Sequence, residues 1–254
     1  MDRQRFSAIA HGELTYWNPI DPAVLAAWLS DLSLNSEARL LDVGCGRGAL
    51  LLNVVAQHGC HAVGVDPHRG ALDHAQSEAK RQSLSERIDW HCSDFSPGDW
   101  PPQSFDVIAC IGASHGCGSY AETLATLTAM LRPGGQLLIG EGFWAQEPAD
   151  DYLAFLGGSR EELQTHEGHQ QLASEHGLNL RRSHKATAQE WDHYEGIYAE
   201  NIQNFVKSNP NDPDAPAMLE RITAWREAYL RWGRETLGFG LSLFSLAQAP
   251  TLRE

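Results

Sequence analysis

The chain contains no hydrophobic run approaching the roughly 20 residues that a membrane-spanning helix needs. Its five cysteines (Cys45, Cys60, Cys92, Cys110 and Cys117) include no C-x-x-C pair. That spacing disfavours a thiolate zinc site or a disulfide framework and fits a reducing compartment. Basic charge is scarce: 19 Lys and Arg face 33 Asp and Glu, a formal net charge of −14. Such a surface repels nucleic acid and anionic lipid, so neither is expected as a partner and a small molecule is. The first residues, with Asp2, Arg3, Arg5 and Glu13, lack the apolar stretch of a secretory signal, and the expected location is the cytoplasm. No internal repeat or low-complexity tract occurs. What remains is a 254-residue chain, 42% hydrophobic and 20% charged, able to bury a sizeable core as one large α/β domain or a core with a smaller companion.

Residues 39–43, Arg-Leu-Leu-Asp-Val, read as a short buried strand. Gly44, Gly46 and Gly48 follow and let backbone approach a ligand, because no Cβ stands in the way. Residues 49–58 have helical character, completing a strand, glycine turn and helix start of the nucleotide-binding kind. Gly44-x-Gly46-x-x-Ala49 also fits a dinucleotide fingerprint, which keeps an NAD-dependent oxidoreductase as an alternative. Asp42 argues against it, since a carboxylate two residues before the first glycine repels a pyrophosphate and suits a cationic amine.

Strands and helices then alternate. Strands are expected at 61–65, 88–92, 105–111, 136–140, 178–187 and 239–246. Helices are expected after the Asp21-Pro22 cap, at about 70–83, after the Ser119-x-x-Glu122 capping box, and at 161–176, 188–207 and 217–237. Pro133-Gly134-Gly135 reads as a turn, and residues 209–216, with Pro210, Pro213 and Pro216, as a breaker-rich loop. This order argues a parallel sheet covered by helices on both faces.

Asp42-x-Gly44-x-Gly46-x-Gly48, Asp66 at the end of the second strand, Asp94-Phe95 after the third and the Pro-Gly-Gly turn before the fifth occur in order. This set resembles the class I S-adenosylmethionine (SAM) methyltransferases, over residues 39–141. Beyond 141 the chain is similar to a subgroup of bacterial members with an insertion before the last strand. The resemblance implies an α/β, Rossmann-like fold with a mostly parallel seven-stranded sheet and a helical lid insertion. The expected parts are an N-terminal helical segment (1–38), a SAM-binding core (39–187), the insertion that would act as an acceptor lid (188–237) and a closing strand (238–254).

It also implies SAM as cofactor, S-adenosylhomocysteine (SAH) as product and no metal. Asp42 and the glycine backbone (Gly44, Gly46, Gly48) would hold the methionine half, Asp66 the ribose, and Asp94 and Phe95 the adenine, with Cys45, Pro67 and Gly112 as further cofactor-binding residues. For Asp66 the competing reading is a helix cap, and for Asp94 an ordinary turn residue. The segment after the fourth strand, Ile-Gly-Ala-Ser-His-Gly-Cys-Gly, lacks the Asn/Asp-Pro-Pro-aromatic, Pro-Cys and acidic metal motifs of several methyltransferase subclasses. It contains His115, a candidate general base or a pocket-shaping loop histidine. Glu141 is a second candidate for acid–base work or acceptor binding. Trp144, Trp191, Tyr194 and Tyr229 are candidate acceptor contacts within an aromatic C-terminal half, where core packing is the competing account. His193 is a less favoured base, and Cys110 and Cys117 read as packing residues before soft ligands. The expected activity is methyl transfer to an O- or N-nucleophile of a small molecule, with a non-catalytic SAM-binding protein as the other alternative. The acceptor and the oligomeric state are left open.

Overall fold

The computed structural model describes residues 1–247. It resolves into two compact units. One comprises Pro22–Glu141, His166–His184 and the chain from Gly240; the other comprises Met1–Asp21, Gly142–Thr165 and Lys185–Phe239.

The larger unit is built on strand–helix alternation. Strands β1 (Arg39–Val43), β2 (His61–Val65), β3 (Ile88–His91), β4 (Phe105–Ile111), β5 (Leu131–Trp144), β6 (Leu178–Lys185) and β7 (Leu237–Leu246) make one seven-stranded sheet in the order β3-β2-β1-β4-β5-β7-β6. β1 pairs in parallel with both β2 and β4, so Asp42 stands opposite Gly64 on one side and Ala109 on the other. β3 and β5 extend the parallel set outward. The strand order therefore reverses between β1 and β4, the switch point at which such sheets bind ligands. Leu41, Val43, Val63, Phe105, Ile108, Leu127 and Ile139 belong to the main apolar cluster here. Near-continuous apolar strands are what a sheet covered on both faces requires.

Helices α2 (Pro22–Ser30) and α3 (Ala49–His58) pack together, with Leu25, Trp28 and Leu29 buried. α4 (Arg69–Arg81) follows β2, and α5 (Tyr120–Met130) starts at the Ser119–Glu122 capping box, formed in both directions. Pro133-Gly134-Gly135 is not a free turn before a strand. Leu131 already pairs with Phe105, and Gln136 with Val107, so residues 132–135 bulge out within β5, with Gly134 at φ +79°. The helix expected at 161–176 is shorter: only α7 (His166–Glu175) forms, behind a single tight turn at Arg160–Glu162.

The smaller unit is mainly helical. α1 (Arg3–His11), α8 (Ala188–Ser208) and α9 (Ala215–Ala228) pack through Phe6, Ala10, Ala199, Ile202, Met218 and Ile222. Arg5 ties α1 to Asp212 and Asp214 in the loop before α9. α6 (Asp150–Leu156) completes it. The expected helix over 217–237 is interrupted, since Tyr229–Gly233 forms one wide π turn before the short helix Arg234–Thr236. A Cβ on Gly233 would stand 2.8 Å from the Tyr152 hydroxyl, so this turn follows a close approach of backbone to side chain. These units differ from the expected parts. Residues 1–38 divide between the two, and 188–237 shares its core with residues 1–21, because α1 supplies the apolar face that α8 and α9 bury.

Candidate active site

At the carboxyl end of β1 the chain makes three left-handed steps, Gly44 (φ +73°), Gly46 (φ +52°) and Gly48 (φ +73°). Val65 at the end of β2 anchors the turn: its carbonyl accepts from the Gly44 and Cys45 N–H groups at 2.9 and 3.1 Å. A Cβ on Gly44 would lie 2.3 Å from the Ala113 Cβ, so the turn touches the loop after β4. A Cβ on Gly48 would enter the Trp90 ring at 2.4 Å, and one on Gly64 would meet the same ring at 2.8 Å. Two glycines thus make room for an indole. Trp90, on β3, is part of the cradle that the sequence analysis missed; a lone tryptophan in a four-residue strand carries no signal for it.

Asp42 is 4% exposed, and its side chain takes no hydrogen bond among the described residues. Burial, with nearby Asp66 adding to it, pushes its pKa well above the ordinary carboxylate range. Asp66 accepts from the Gly46 N–H and the His68 N–H, both at 2.8 Å, so it fastens the glycine turn to the start of α4. Both readings of Asp66 are compatible with this: it organises the local backbone and still presents lone pairs. Two interacting carboxylates that form no ion pair among the described residues suit a ligand that brings positive charge, as SAM does with its ammonium and sulfonium groups. Cys45 lies buried beneath them and its thiol is pushed up by burial and then by Asp42 and Asp66. Pro67 and Asp94 are exposed, and Phe95 is half-buried against the main cluster. Gly112, at φ +71°, donates its N–H to the Gly140 carbonyl at 2.8 Å.

On the turn after β4, the Ser114 hydroxyl donates to Oε2 of Glu141 within β5. Ser114 is buried, and its carbonyl accepts from the Thr123 hydroxyl at 3.1 Å. Burial pushes up the pKa of Tyr120 and the Cys110 thiol, with the Glu141 charge adding to both. Cys117 is raised as well by burial, so both cysteines are held as neutral thiols in a packed wall. Tyr120 stacks near the buried His169, ring centres 4.1 Å apart, and burial lowers His169 to about 4. His115 is exposed on the single turn Ser114–Gly116, next to the Ser114–Glu141 pair. Ser114, Tyr120 and His169 were not singled out from the sequence. The serine adjoins His115, but only the fold brings it to Glu141.

The four aromatic candidates separate. Trp191 and Tyr229 line one narrow recess in the helical unit, with Tyr152, Phe155, Glu195 and Trp225. Tyr194 instead bonds through its hydroxyl to His11 Nε2 at 2.8 Å. Trp144 donates its indole N–H to the Arg160 carbonyl at 3.0 Å and meets Tyr152 edge-on. Tyr229 donates to Asp192, which Arg234 also holds.

A methyltransferase-domain family model matches residues 40–135, the span of the cradle and of strands β2 to β4. The uncharacterized protein YjhP of Escherichia coli is 28% identical over 243 residues, covering 95% of this chain and 98% of that protein. A SAM-dependent methyltransferase from Geobacter sulfurreducens, solved with SAH, superposes with a TM-score of 0.85 at 27% identity, over 94% of this chain and 97% of that one. Over part of the chain (53%), the ubiquinone biosynthesis O-methyltransferase of Aeromonas salmonicida is 29% identical, covering 58% of that enzyme. Residues 40–135 are thus a methyltransferase domain, the fold is that of the class I SAM-dependent methyltransferases, and SAM is the cofactor. Among the described residues no helix is long and apolar enough to cross a membrane.

Proposed function

We propose that the protein methylates an oxygen or nitrogen nucleophile of a small molecule, with the methyl group moving by in-line displacement. SAM supplies a methyl group on a sulfonium sulfur. In this reading Asp42 and the glycine backbone, with Cys45 and Gly112, take the methionine half, Asp66 and Pro67 take the ribose, and Asp94 and Phe95 take the adenine. The observation that carries the proposal is the Ser114–Glu141 pair, which joins the turn after β4 to β5, on the side of the switch point between β1, which carries the buried Asp42, and β4. Glu141 is the group that accepts the acceptor's proton or its hydrogen bond, and Ser114 fixes the orientation of the carboxylate. His115 is the second group in reach of that chemistry. Most of the acceleration comes from alignment and exclusion of water.

A small acceptor is supported by the net charge of −14, which disfavours nucleic acid, and by the likeness to an O-methyltransferase of ubiquinone biosynthesis. Five free cysteines fit a cytoplasmic setting. The test is incubation with methyl-labelled SAM and fractionated small-molecule extract, with the labelled product identified by mass spectrometry. Label should appear in a low-mass compound and depend on Glu141 or His115. Label on protein or RNA, or none anywhere while SAH still binds, would reject the proposal.

A further inference from the structure

The backbone answers the two acids of the cradle differently. β1 and β2 run parallel with Asp42 opposite Gly64, which brings Asp66, two residues further on, to the same end of the sheet. Asp66 accepts the Gly46 N–H at Oδ2 and the His68 N–H at Oδ1, so each of its oxygens meets a donor. Asp42 meets none: no N–H, hydroxyl or cation among the described residues bonds to its carboxyl group, and the residue is buried. A carboxylate cut off from water with neither donor nor counter-ion is costly, and such a group keeps its proton instead. The Asp66 charge beside it strengthens that preference.

We propose that the ligand-free chain holds Asp42 as the neutral acid and that binding of SAM or SAH drives its proton into solvent, because the ammonium of the methionine half supplies the missing counter-ion. The O–H bond of the carboxyl group breaks, its electron pair stays on the oxygen, and the proton passes to water or buffer. Cofactor binding is thereby coupled to the release of one proton and strengthens as pH rises. The inference rests on the assignment of Asp42 to the methionine half made above.

Two thiols lie close by and do not supply this proton. Cys45 in the glycine turn and Cys110 on β4 are both pushed up by burial, with the Asp42 charge adding to each, so they stay neutral. The other charged and titratable groups of the surrounding segments are Asp66 and His68 after β2, Arg47 in the glycine turn, His115 after β4 and Glu141 on β5. The His68 Nδ1 already accepts from the Ala71 N–H at 3.0 Å, and Arg47 contacts His74 Nδ1 at 2.9 Å. What these groups add is read with 5′-methylthioadenosine, which keeps the adenine, ribose and sulfur of SAH but lacks the amino-acid group that Asp42 would meet.

The test is calorimetric titration of the full chain with SAH and with 5′-methylthioadenosine, in buffers of different ionisation enthalpy and across pH 5 to 7. The heat of SAH binding should depend on the buffer by an amount equal to release of up to about one proton, and SAH affinity should rise by up to about tenfold per pH unit. The nucleoside should show little of either. Asp42→Asn keeps the shape of the side chain and has no proton to lose, so it should weaken SAH and remove the dependence on buffer and pH. Buffer-independent heats with a flat affinity would overturn the proposal, as would equal proton release with the nucleoside or in the variant. Absence of linkage while Asp42→Asn still weakens SAH strikes this inference alone. Unchanged SAH affinity in that variant strikes the assignment of Asp42 and this inference with it. Should the variant not fold, the comparison of SAH with the nucleoside on the unaltered protein decides.

Discussion

At the scale of the residue, Asp42 and Asp66 make opposite demands on the fold. Asp42 is buried beside a like charge, so its pKa in the folded chain lies above its unfolded value of about 3.9. The folded form then holds the proton more tightly, and this group's contribution to stability falls as pH rises from about 4 towards its folded pKa. Asp42→Asn should raise the melting temperature of the ligand-free protein at neutral pH and weaken SAM binding by about tenfold or more, roughly 1.4 kcal/mol. Thermal melts with and without SAM check both signs together. Asp66→Ala should weaken SAM binding by about 1.5–3 kcal/mol, the range for hydrogen bonds to a charged group. It also releases the Gly46 and His68 N–H groups, so some loss of stability should accompany it. For turnover, Glu141→Gln should lower kcat by about 10²–10⁴-fold if that carboxylate takes the proton. His115→Ala should have the smaller effect, because Ser114 orients Glu141 and no described side chain hydrogen-bonds the His115 ring. Steady-state rates on the identified acceptor decide between them.

Elements differ in how plainly the sequence writes them. β1, β2 and β4, with α3, run where their periodicity and flanking glycines put them, because each is bounded by a local signal. The Thr187–Glu190 capping box, like that of α5, fixes the start of α8. α1 was illegible: its apolar face toward α8 and α9 is little more than Phe6 and Ala10, too sparse to show a period, and α8 and α9 supply the rest. The π turn at Tyr229–Gly233 was illegible for a different reason. It adds one residue to a turn while the spacing of Trp225, Tyr229 and Trp232 still suits an α-helix. Of the candidate site, the Asp-Gly cradle could be read because its members are close in sequence. The Ser114–Glu141 pair and the Glu195 recess could not, because their partners meet only through the sheet order and the packing of α6, α8 and α9. Gly44→Ala tests the glycine turn as an element. The new methyl group meets Ala113 at 2.3 Å on a left-handed backbone that itself costs about 1–2 kcal/mol. SAH affinity and melting temperature should both fall, and an unchanged SAH affinity would mean that the turn does not shape the binding site.

At the scale of the whole molecule, each unit hides a neutral histidine. His169 in the sheet unit and His11 in the helical unit are both lowered to about 4, each chiefly by burial. His11 accepts from Tyr194 at Nε2, and its Nδ1 lies 2.8 Å from the Ser7 carbonyl, an arrangement that suits the neutral ring. Their stabilising effect is complete above the unfolded pKa of about 6.5 and is lost as pH falls toward 4. Melting temperature should therefore decline over that window, and His11→Gln should flatten the decline. Removing residues 1–12 should also destabilise the helical unit, since Ile202, Met218 and Ile222 would lose Phe6 and Ala10 as partners. Hydrogen exchange would show protection falling in α8 and α9 while β1 to β4 keep theirs. The central claim is that the Asp42–Gly48 turn and Asp66 hold the methyl donor, and calorimetric titration with SAH tests it most directly. The account predicts one SAH per chain, no comparable heat with NAD, and an affinity at least about tenfold lower in Asp66→Ala. Folded protein that binds no SAH, or binds it equally well without the Asp66 carboxylate, would contradict it.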